Sequence, residues 1–133
     1  MARVSRRIPL FPMSQFDPTK HLTVDREDRD GVAIFSLHGE CDMHTAPYAR
    51  LEITPVLQSG QPVVINITDV SFMDSAGYGM LVGLERIAQT NNTKMAIAAP
   101  PTGIVLTGLR VLKVDKVLSV STDLENAVAA AAA

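Results

Sequence analysis

Tryptophan is absent from the 133-residue chain, tyrosine occurs twice, phenylalanine four times and cysteine once. So few aromatics leave Val, Ile, Leu and Met to fill any core. The lone cysteine, Cys41, excludes an internal disulfide and a four-cysteine metal site, and it fits a reducing compartment. Its alternation with Glu40 and Asp42 predicts an inward-facing small apolar residue, with a redox-sensing thiol as the alternative. A charge excess is also missing. Twelve Lys and Arg stand against 14 Asp and Glu, a formal net charge of −2, too balanced for a protein that lives on nucleic acid or anionic lipid. No apolar run reaches the roughly 18–20 residues of a membrane span, and the N-terminus lacks the apolar middle of a signal peptide. The expectation is a cytoplasmic protein whose partner is another protein, with no direct role on nucleic acid or membrane.

What is present is an ordinary globular composition, 47% hydrophobic and 20% charged, on about one domain's length. Residues 1–20 carry Arg3, Arg6, Arg7, Pro9, Pro12 and Pro18 without sustained periodicity, which predicts a flexible N-terminal arm and a folded domain over 21–133. Apolar-rich runs at 21–26 and 32–38 flank Asp30-Gly31 and predict a hairpin. Over 45–58, Ala46, Ala49, Leu51, Ile53, Val56 and Leu57 have roughly helical spacing, with Thr45 as cap. Pro55 costs that helix about 3 kcal/mol or more, so a bend there or an end near Thr54 is expected. Residues 63–70 (VVINITDV) read as a buried strand. Residues 76–90 read as a helix with Gly77, Met80, Leu81, Leu84, Ile87 and Ala88 facing the sheet. A strand at 93–99, a helix at 104–109 broken at Gly108, and a strand at 116–120 come next. The Thr122/Glu125 spacing of a capping box then opens an alanine-rich helix. The order β-β-α-β-α-β-α-β-α predicts an α/β fold: a central mixed sheet with an initial hairpin, right-handed crossovers and about four helices.

The segment Ser71-Phe72-Met73-Asp74-Ser75-Ala76-Gly77-Tyr78-Gly79 joins a buried strand to a helix. Turns at the carboxyl ends of strands are where α/β sheets meet ligands and partners. Gly77 falls on the buried arc, where its lack of a side chain allows close packing, while Gly79 and Gly83 share a flank open to a partner. The helical wheel turns Ser75, Tyr78, Val82, Glu85, Arg86 and Gln89 outward, so Tyr78 and Val82 form an apolar spot beside the serine, as a docking surface needs at its centre. The plain reading of Ser75 is a helix N-cap. The functional reading is a phosphorylation switch: the positive end of the helix accommodates a phosphate, whereas a partner packed on the same spot must bury a hydrated dianion beside Asp74.

A second constellation, Gly39-Glu40-Cys41-Asp42-Met43-His44-Thr45-Ala46, leaves the second strand of the hairpin and enters the first helix. Parallel, adjacent strands would bring Asp42 and His44 toward Ser75. Ser75, His44 and Asp42 are also the residue types of a hydrolase nucleophile, base and orienting acid, but no Gly-x-Ser-x-Gly elbow flanks the serine. Glu40, Asp42 and His44 lack the second cluster a metal site requires. His21 and His38 read as structural.

GECDMHTA, then a strand, then SFMDSAGYG resembles the STAS-domain family of anti-sigma factor antagonists, over about residues 21–128 in element order and with the Asp-Ser-x-Gly-x-Gly motif as the specific part. The resemblance implies a single STAS-like domain without cofactor or metal, and no enzyme. It implies that Ser75 is phosphorylated by an anti-sigma factor with serine kinase activity, that the unphosphorylated form binds this partner and frees a sigma factor, and that a serine phosphatase resets the switch. A weak homodimer is compatible with it. Carried over by position, Asp42, His44, Thr45, Asp74, Ala76, Tyr78, Gly79 and Val82 form the partner surface. Tyr78 stands where the family commonly has a smaller aliphatic residue, and Pro55 interrupts a helix usually free of proline. The rival within the family is a non-catalytic STAS module of a larger signalling or transport assembly.

Overall fold

The computed structural model describes residues 3–6, 17 and 20–133. Six strands form one sheet in the order β1 to β6, every neighbour in space being a neighbour in sequence. The strands are β1 (Arg3–Arg6), β2 (Leu22–Arg29), β3 (Val32–Cys41), β4 (Val63–Met73), β5 (Met95–Ala98) and β6 (Ser119–Ser121), with helices α1 (Ala46–Gln58), α2 (Ser75–Thr90), α3 (Ile104–Val111) and α4 (Leu124–Ala132). β1 and β2, and β2 and β3, pair antiparallel; β3 to β6 run parallel. The sheet is mixed, as expected.

The hairpin closes at Arg29↔Val32, with Asp30 at φ 54 and Gly31 at φ 80. Two successive positive φ values make a turn whose twist matches that of the flanking strands. Because the parallel strands are laid down always in the same direction, crossovers of one hand put their helices on one face of the sheet. Accordingly α1, α2 and α3 share one core with Phe35, Leu37, Ile65, Ile67 and Ile97. The opposite face, with Val32, Ile34, Val64, Ala96 and Ala98, is covered by α4 through Ala127, Val128 and Ala131. The alternation of Val63, Ile65 and Ile67 against Val64 is the period of two expected of a strand buried on both sides. No helix among the described residues is long and apolar enough to cross a membrane.

Several local expectations are corrected. Residues 3–6, assigned to a flexible arm, are an edge strand whose backbone pairs Arg3↔Glu27 through Arg6↔Val24; the remainder of that arm lies largely outside the described residues. α1 runs through Pro55 to Gln58 without ending at Thr54. The carbonyl deprived of its donor by Pro55 is that of Leu51, on the solvent side of the helix, where water can replace the lost bond. α3 likewise continues past Gly108 to Val111. Here the glycine has a packing reason: a Cβ on Gly108 would collide with the hydroxyl of Tyr78, which donates to the carbonyl of Val105 at 3.2 Å. The last strand begins at Ser119, since Val114–Lys116 forms a 3-10 turn. α4 is capped by Asp123, whose carboxylate accepts from the Glu125 amide at 2.8 Å, so Thr122 does not form the anticipated capping box.

The fit of Tyr78 over Gly108 yields a prediction. Gly108→Ala forces the ring or α3 to move and should destabilise the fold by about 1–3 kcal/mol, the usual cost of overpacking. Tyr78→Phe, losing one hydrogen bond, should cost about 1 kcal/mol. Urea unfolding of both variants measures this, and Gly108→Ala in the Tyr78→Phe background should recover part of the loss.

Candidate functional site

The C-terminal ends of β3 and β4 lie side by side, in register at Glu40↔Phe72 and Cys41↔Met73, and each strand then turns into its helix. Asp74 stands at the junction. Its backbone is extended, at φ −107 and ψ −171, and it is the N-cap of α2. Oδ1 accepts from the amides of Ala76 at 2.9 Å and Gly77 at 3.3 Å. Oδ2 accepts from the amide of Met43 at 3.2 Å, and the Asp74 amide donates to the carbonyl of Cys41 at 3.3 Å. One side chain therefore caps the helix and holds the neighbouring loop to it. The reading of Ser75 as the cap is corrected: Ser75 is the first residue of α2 and is exposed.

The 41–45 loop is held by Asp42, whose Oδ1 accepts from the amides of His44 at 2.9 Å and Thr45 at 3.1 Å. The Thr45 hydroxyl is fully buried. It accepts from the Asp42 amide at 2.9 Å and, as donor, has the Glu40 carbonyl at 2.7 Å and Asp42 Oδ1 at 3.2 Å within reach of its single proton. Thr45 fastens the loop from inside and makes no side-chain cap to α1, against the expectation. Burial opposes ionisation of Asp42, but the two amides and the hydroxyl outweigh it and hold the carboxyl below its ordinary range. Committed in this way through Oδ1, Asp42 staples the 41–45 loop. Cys41 faces inward, fully buried, and its thiol is pushed up to about 12 by desolvation and then by the Asp74 and Asp42 carboxylates. That environment suits a small apolar residue and opposes thiolate chemistry.

Of the residues assigned to a partner surface, Asp42 and Asp74 lie on the two loops that the Met43 amide joins, His44 and Gly79 are exposed, and Ala76 is half-buried. Thr45 is buried. Tyr78, expected on the outward face, is also buried, 6% exposed. The wheel sets its Cα on the flank of α2, and its long side chain reaches across to α3, a direction that the helical period of one segment does not contain. Val82 is half-buried and packs against the core. The apolar residues that stand open on these loops are Phe72, 43% exposed, and Met43, 65% exposed. Alternation along β4 was the available signal for Phe72, since its neighbour Met73 points inward. Between α1 and α2 lies a groove of about 280 Å³ lined by Met43, Ala46, Pro47, Arg50, Ala76, Gly79 and Met80. Gly79 leaves open space where a Cβ would stand, whereas a Cβ on Gly77 would lie 2.8 Å from the Cys41 carbonyl and 2.5 Å from Met73 Cγ. The two glycines thus differ in use, as their places on the wheel suggested.

Residues 23–129 match the STAS domain family model, and the chain belongs to the STAS-domain family. Sequence relatives that it resembles are named as antagonists of anti-sigma factors. It is 30% identical over 79 residues to the anti-sigma F factor antagonist of Paenibacillus polymyxa, covering 58% of this chain and 68% of that one. It is 30% identical over 78 residues to the anti-sigma-B factor antagonist of Staphylococcus aureus, covering 58% and 72%. The crystal structure of an anti-sigma factor antagonist from Mycobacterium paratuberculosis superposes with a TM-score of 0.76 at 27% identity, over 83% of this chain and 93% of the other.

The site's chemistry makes two predictions. Asp42, with its folded pKa held low, stabilises the fold at pH values above its ordinary value of 3.8, and that stability is lost as pH falls through the lower folded value. Asp42→Asn should therefore flatten the acid limb of a pH–stability curve measured by denaturant melts. The Cys41 thiol should resist Ellman's reagent at pH 8 in the native protein and react fully only in denaturant; rapid native labelling would show an open, ionisable thiol.

Proposed function

We propose that this protein is an anti-sigma factor antagonist that works by partner switching in the cytoplasm, without catalysis of its own. The unphosphorylated form binds an anti-sigma factor that is also a serine kinase and so frees a sigma factor; the kinase phosphorylates Ser75 and binding ends; a serine phosphatase restores the first state. The observation that carries this reading is the exposure of Ser75 at the first position of a 16-residue helix whose capping belongs to its neighbour. Its hydroxyl is open to another enzyme's active site. A phosphate at that position adds about 1.5–2 negative charges at the helix end that favours anions, so the fold can carry it. A partner closed over Phe72, Met43 and the α1–α2 groove would have to desolvate the same dianion close to Asp74, which weakens the complex.

The antagonists named above support the role of anti-sigma factor binding, and the Asp42 and Asp74 junction supports the geometry, since it fixes the two loops that flank the serine. Ser75→Ala should bind the cognate kinase with wild-type affinity yet take up no phosphate in an ATP assay read by intact mass. Ser75→Asp should bind at least about tenfold more weakly, a difference of about 1.4 kcal/mol, in titration calorimetry. Equal affinities for the two variants would refute the switch and leave a plain interaction module. A phosphate found on another residue would refute the site.

A further inference from the structure

α3 buries one apolar face and, besides the exposed Thr107 and Arg110, sets two apolar residues on its outward side. Val105, Leu106 and Leu109 are buried against the core, while Ile104 and Val111, one and the same stripe at a spacing of seven, are 68% and 71% exposed. The stripe continues into the turn after the helix, where Leu112 and Val117 are 54% and 59% exposed. Exposed apolar residues grouped on one face, rather than scattered singly, mark interaction surfaces. Polar residues at these positions would leave the inner face intact, so the fold of this chain does not call for apolar ones. The rim has a sign of its own. Arg110, Lys113 and Lys116 are exposed around the stripe, and among the described residues none of the three is paired with a carboxylate. In a chain of net charge −2, this is a local cationic border around an uncovered apolar strip.

We propose that the outward face of α3 and of the turn after it is a second protein-docking surface, separate from the Ser75 loops, and that its occupant is an acidic amphipathic helix of a partner protein. Apolar residues of such a helix at a spacing of three and four would cover Ile104, Val111 and Leu112, and its flanking carboxylates would meet Arg110, Lys113 and Lys116. A second copy of this chain fits worse, because a two-fold contact on this face brings the same cations together. Anionic lipid fits worse as well, since recognition of a membrane surface typically takes clusters of about four to eight cations.

The test is an NMR titration of the isotope-labelled full chain with a synthetic 16-residue Leu/Glu amphipathic peptide at low salt. The expected result is shifts confined to residues 104–117. Val111→Glu, a change at an exposed position, should weaken them at least tenfold, whereas Ser75→Asp should leave them unchanged. A Leu/Lys peptide of the same pattern should produce none. Absent shifts, or shifts centred on the α1–α2 groove, would overturn the proposal. So would concentration-dependent dimerisation abolished by Val111→Glu, which assigns the face to a second copy, or Val111-dependent sedimentation with vesicles of phosphatidylglycerol and phosphatidylcholine, which assigns it to lipid.

Discussion

One carboxylate decides how the two working loops of this domain sit relative to each other. Asp74 caps α2 through Oδ1 and takes the Met43 amide of the adjacent loop through Oδ2. The parallel register at Cys41↔Met73 brings the loops close, but strand pairing ends there and cannot orient the residues beyond it. A capped helix start and a neighbouring amide, both satisfied by one side chain, carry the rigidity of the sheet two residues further, to the exposed serine. Removing an N-cap carboxylate costs typically about 1 kcal/mol of helix stability; here the same loss also releases the 41–45 loop. The position of Ser75 thus rests on the residue before it.

Asp42 and Thr45 repeat the arrangement on the other side of the junction. Their hydrogen bonds turn inward, to amides and a carbonyl of their own loop, and leave Met43 and His44 at the surface. The division is the one general to loops on a rigid scaffold: buried polar groups fix the backbone, and whatever lies between them is displayed. Cys41 belongs to the fixed part. Burial, and then the Asp74 and Asp42 carboxylates, hold its thiol in the protonated form, as suits a small packing residue.

The element order, the hairpin at Asp30-Gly31, the mixed sheet and the sheet-facing role of Gly77 were legible because each arises from a local period or a turn residue. The errors share a different cause. Thr45 and Thr122 had the right residue type for caps; at α4 the adjacent Asp123 offered a charged acceptor and took the Glu125 amide instead, while at α1 a proline in the first turn removes an amide that a cap would satisfy, and the Thr45 hydroxyl turns to its own loop. Tyr78 was turned outward by a wheel that knows only its own helix, while its true surroundings are set by a glycine thirty residues later in another one. Residues 3–6 have no periodicity to reveal a strand; they acquire one from the free edge of β2. Phe72 could have been found from the alternation of β4, whereas Met43 lies in a loop without a period, and only the assembled loops show it standing open.

The separation of cap from acceptor bears on how a switch at Ser75 can work. If the serine itself capped α2, a phosphate on its oxygen would have to keep or surrender the helix amides, and modification would be coupled to fraying of the helix. With Asp74 holding Ala76 and Gly77, those amides are already satisfied without the serine. The phosphate then adds charge and bulk to an unchanged backbone. In the proposed mechanism the signal is therefore electrostatic and steric at the surface, read directly by the partner, and the domain need not change shape to send it.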